Sequence, residues 1–114
     1  MPVTDVEALA PIRRLLAIAR ADTGQCRRVA GFLLAWWNAA ECGGFDLTDL
    51  WAVDTAIAED MLAAAAFIAA HREYPTAYGL GPEFEELVGL WRPQLQAAAK
   101  AGADGARMTE DPTR

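Results

Sequence analysis

A lone histidine, two cysteines, a run of carboxylates, an arginine pair and four tryptophans are the residues of this chain that could do chemistry. His71 titrates near neutral pH without any perturbation and would serve an acid–base step. On a helix it shares a face with Asp60, Ala64 and Phe67, but Asp60 lies about 16 Å away at the helical rise. A catalytic pair would need a carboxylate from another segment. A histidine at a helix C-terminus is also favoured by the dipole alone, and a structural role is the expectation. Asp46, Asp49, Asp54, Glu59 and Asp60 are hard oxygen ligands of the type that hold a divalent cation. Their spacing matches no calcium loop, no HExxH and no di-iron pattern, and helix capping accounts for the aspartates. Cys26 and Cys42 would stand about 24 Å apart on one helix, far beyond the reach of a disulfide. With a single histidine they do not make a zinc site. No Walker loop, dinucleotide-binding glycine pattern or nucleophile elbow occurs. The expectation is therefore a protein that is not an enzyme and has no cofactor and no metal.

Arg27 and Arg28 open a helix, where the positive end of the dipole mildly disfavours them. Their presence points to a specific partner, either an aspartate on the next helix or a phosphate. Trp36 and Trp37 are adjacent and point about 100° apart, so one belongs to the core and the other to its margin. Trp36, Trp51 and Trp91 are expected to fill the core. Trp37 is a candidate for contact with another protein, since tryptophan is enriched at binding hot spots. The candidate partner-binding set is Arg27, Arg28, Trp37, Asn38, Asp46, Asp49 and Asp54.

These residues must be positioned by helices. The chain has 114 residues, one domain's worth, with 54% apolar residues and much alanine. Thr4 and Glu7 form a capping box, and Leu9, Ile12, Leu16 and Ala19 follow at helical spacing, with Pro11 predicting a kink or a short lead-in. Asp22 or Thr23 caps a second helix whose stripe is Val29, Phe32, Leu33, Trp36, Trp37 and Ala40. Gly43 and Gly44 end it. Asp46 or Thr48 caps a third helix with Leu47, Leu50, Trp51 and Val53 on its apolar side, and Asp54 either continues it or caps a new one. Ile57, Met61, Ala64, Ile68 and His71 make the next stripe. A loop over EYPTAYGLGP leads to Pro82 at a helix start, with Phe84, Leu87, Val88, Trp91 and Leu95 on one face and Pro93 kinking or ending that helix. The fold class is all-α: a compact antiparallel bundle of four to five helices over residues 1–95, with a frayed or disordered tail over 96–114.

The net charge of −6 is uneven, with residues 31–90 carrying ten carboxylates against Arg72 alone. Such a surface disfavours nucleic acid, keeps a protein soluble and suits a basic protein partner. No export signal or membrane span is visible, and reduced cysteines fit the cytoplasm. A homodimer that hides one tryptophan-bearing face is compatible with the size.

The motifs DTGQ…RRVA.FLLAWWNA, FDLTDLW.VD and HREYP resemble those of small uncharacterised proteins, domains of unknown function encoded on conjugative plasmids and integrative elements of proteobacteria. The resemblance runs from about Ile12 to Leu95. It implies a bacterial accessory protein of mobile DNA and transfers no catalytic residue. The leading reading is an acidic helical interaction protein. Its rivals are an acidic inhibitor of a host nucleic-acid-binding system, of the anti-CRISPR kind, and a DNA-binding regulator using the second helix.

Overall fold

The computed structural model describes residues 5–95, with side chains from Glu7 onward. Thr4 of the expected capping box and the expected tail over 96–114 lie outside the described residues. Four α-helices form: α1 (Asp5–Ala19), α2 (Gly24–Cys42), α3 (Thr55–His71) and α4 (Gly81–Trp91). Two short 3-10 segments, Leu47–Ala52 and Pro75–Tyr78, join α2 to α3 and α3 to α4.

The all-helical bundle follows from the periodic stripes. Leu9, Ile12, Leu15, Leu16 and Ala19 of α1 share one buried cluster with Val29, Ala30, Leu33 and Leu34 of α2, Met61 and Ala64 of α3 and Phe84 and Leu87 of α4. Helix α1 is the hub: it packs on both α2 and α3, while α4 packs on α2. Helix α1 runs through Pro11 without ending there. Helix α2 starts where expected, with Thr23 Oγ1 accepting the Cys26 N–H at 3.2 Å. It stops at Gly43, whose φ of 100° is open only to glycine at low cost. Helix α4 stops at Trp91, before Pro93.

Two expectations are corrected. Helix α2 is not one straight rod. Asn38 leaves the helical conformation (φ −167°, ψ 84°), and its side-chain oxygen accepts the Glu41 N–H at 3.2 Å. Asparagine competes for backbone donors in this way, so it caps the last turn afresh. The segment after Asp46 is a six-residue 3-10 stretch, not an α-helix, and it buries nothing completely. Trp51, expected in the core, is 84% exposed, and Leu47 is 73% exposed. Six residues make two 3-10 turns, too few for a periodic stripe to turn both side chains inward.

The ends of the bundle are tied by side chain to backbone. Trp91 Nε1 donates to the Ala19 carbonyl at 2.6 Å, joining the last turns of α1 and α4. Arg92 Nε donates to the Cys42 carbonyl at 2.9 Å, satisfying an acceptor at the end of α2 with a cation that suits the negative pole there.

Candidate functional site

The candidate residues separate into two groups along α2. At its N-terminal half, Arg28 Nε stands 3.4 Å from Asp49 Oδ1, an ion pair without hydrogen-bond geometry. Gln25 reaches the same strip: its Oε1 accepts the Asp54 N–H at 2.6 Å and its Nε2 donates to Asp54 Oδ2 at 3.4 Å. Asp54 occupies the N-cap position of α3 without a side-chain cap bond, so Gln25 provides the fastening instead. Asp46 caps the 3-10 segment, accepting from Thr48 N at 2.9 Å and from Thr48 Oγ1 at 2.8 Å. Those two bonds hold its carboxyl below the usual aspartate range. Arg27 is exposed and makes no ion pair among the described residues.

Trp37 and Asn38 lie at the other end of α2. Trp37 stacks on Phe84 with centroids 5.5 Å apart, and Trp36 meets the same ring edge-on at 5.6 Å. Both tryptophans are half-buried, because one fully buried phenylalanine serves the two of them. The division into one core and one marginal tryptophan is thus replaced by a shared role. Trp36 Nε1 also donates to the Glu73 carbonyl at 3.0 Å.

The strip that follows α2 holds what sequence reasoning missed. Leu47 and Trp51 stand out from a segment that is fastened along its length by Phe45 edge-on to Phe32 at 5.3 Å, by Asp49 to Arg28 and by Asp54 to Gln25. Large apolar side chains thus stand exposed on a support that is held to α2. The signal was present in the three aspartates that interrupt this stretch, which leave its apolar residues little of one continuous face.

His71 closes α3, is exposed and stacks on Phe67 at 4.0 Å, with Nδ1 2.9 Å from the Phe67 carbonyl. Asp60 is instead claimed by Arg14 of α1, through bonds of 2.9 and 2.8 Å that keep its carboxyl low. No group of three or more histidine, cysteine or acidic side chains among the described residues gathers to hold a metal. Both cysteines are free and buried, and burial pushes the Cys42 thiol up. Among the described residues no helix is long and apolar enough to cross a membrane.

Fold and surface together define a small all-helical protein whose chemically distinct residues serve caps, ion pairs and an exposed apolar strip. The chain belongs to the family of unknown function DUF7673, which matches residues 9–92. No curated protein and no solved structure matches it.

Proposed function

We propose that this protein is a non-catalytic interaction protein that binds another protein through the strip from Asp46 to Asp54. One observation carries the reading: Trp51 stands 84% exposed on a segment tied to α2. Leaving a tryptophan in water forgoes a large burial gain, and a partner that covers it recovers that gain. The reading also draws on the resemblance to plasmid and integrative-element proteins, from which the protein would be an accessory factor of mobile DNA acting in the bacterial cytoplasm. Trp51→Ala should leave the circular dichroism spectrum intact and abolish capture of the partner from the native host. Unchanged capture would remove Trp51 from the surface and the reading with it.

The inhibitor reading draws on the acidic stretch 31–90, which suits a basic effector. It expects the protein to displace DNA from that effector in a competition assay. The DNA-binding reading is weakened by Arg28, whose charge is already engaged by Asp49.

A further inference from the structure

Helices α2 and α3 both rest on α1 but scarcely touch each other, and an open groove of about 490 Å³ runs between them. Phe32, Trp36, Phe45, Leu47, Ala65 and Ala69 line it, so its walls are almost wholly carbon. It occupies the place where a further helix would complete the bundle. The alanines on the α3 side let a helix backbone come close, within the ordinary 8–10 Å or so between packed helix axes. The opposite wall is set in advance. Phe32 and Phe45 meet edge-on, and the Trp36 indole is held by the Glu73 carbonyl.

The charges around the groove decide what fits. Asp46 sits between the lining residues Phe45 and Leu47, and Glu73 follows the end of α3 where Trp36 is held. Neither of these two carboxylates is in an ion pair among the described residues. Arg28 is engaged by Asp49, and residues 31–90, which supply every residue that lines the groove, carry ten carboxylates against Arg72 alone. We infer that the groove takes one amphipathic helix of a partner protein, apolar on the inserted face and rich in lysine or arginine along its flanks. The inference rests on the interaction reading above and names its site and ligand chemistry. A second copy of this chain is a poorer occupant, because it brings another net charge of −6 to an acidic rim.

Two synthetic helices of about 15 residues, with leucines at i, i+3, i+4 and i+7, test it against the full chain by fluorescence anisotropy. One carries lysines elsewhere, the other glutamates. The lysine helix should bind at least about tenfold more tightly. The double variant A65Q/A69Q, at two exposed helical positions, should keep the native circular dichroism and weaken that binding by about tenfold or more. No binding, equal binding of the two helices, or binding unaffected by A65Q/A69Q would overturn the groove assignment. So would a dimer in sedimentation that A65Q/A69Q dissociates, since the occupant would then be a second copy. Partner capture lost in Trp51→Ala but kept in A65Q/A69Q would leave the interaction reading standing and the groove refuted.

Discussion

At the scale of single residues, the Arg14–Asp60 pair makes stability depend on acid. Asp60 has its carboxyl lowered chiefly by the Arg14 hydrogen bond. A carboxyl lowered in the folded state stabilises fully above its unfolded value, about 3.9, and loses that contribution as pH falls through the folded value. Asp60→Asn should therefore lower the urea midpoint at pH 7. It should also flatten the decline that the native protein shows as pH falls below about 4. Urea titrations at several pH values would check both. Phe84 is the other decisive residue, since it is fully buried and touches both Trp36 and Trp37. Phe84→Ala should cost about 3–5 kcal/mol in the same assay, with a change in tryptophan emission. The burial of Phe84 was legible, because it falls on a clear helical stripe. Its position between two tryptophans was not, since the contact is set by how α4 crosses α2 and no local pattern encodes that crossing.

At the scale of elements, α3 rests on a single principal neighbour. Met61 and Ala64 are its fully buried residues, and α1 is its principal support. Hydrogen exchange should show α3 amides opening before those of α1 and α2, and Met61→Ala should widen the gap. The reinitiated last turn of α2 invites a second measurement. Asn38→Ala removes the side-chain acceptor of the Glu41 N–H and should cost about 1 kcal/mol in chemical denaturation. Helices α1, α2 and α4 and their stops were readable from apolar spacing, glycine and proline. The break at Asn38 was hidden because Trp36, Trp37 and Ala40 carry the apolar stripe across it. The strip Leu47–Ala52 was misread because an α period was applied to a segment wound more tightly.

For the whole molecule, the buried cluster of the described residues runs from Leu9 to Leu87, with Leu95 packed at its edge. The overall class of the protein was plain from composition and periodicity. The candidate site was legible only in outline. Asp46, Asp49 and Asp54 belong to the same strip as Leu47 and Trp51, yet these two exposed side chains were assigned to the interior. A partner surface is apolar like a core, and residue type alone does not separate the two.

The bond from Trp91 to Ala19 joins residues 72 positions apart in the chain. It forms only once nearly the whole described length has looped back on itself, and such closure is entropically slow. Helices α1 and α2 are neighbours in sequence and can pair first, so α4 is expected to dock late in folding. In stopped-flow refolding, a Trp91→Phe variant should lose signal amplitude from the slowest phase while the earlier phases keep theirs. One indole at the end of the last helix thus serves as a clock for the completion of the fold.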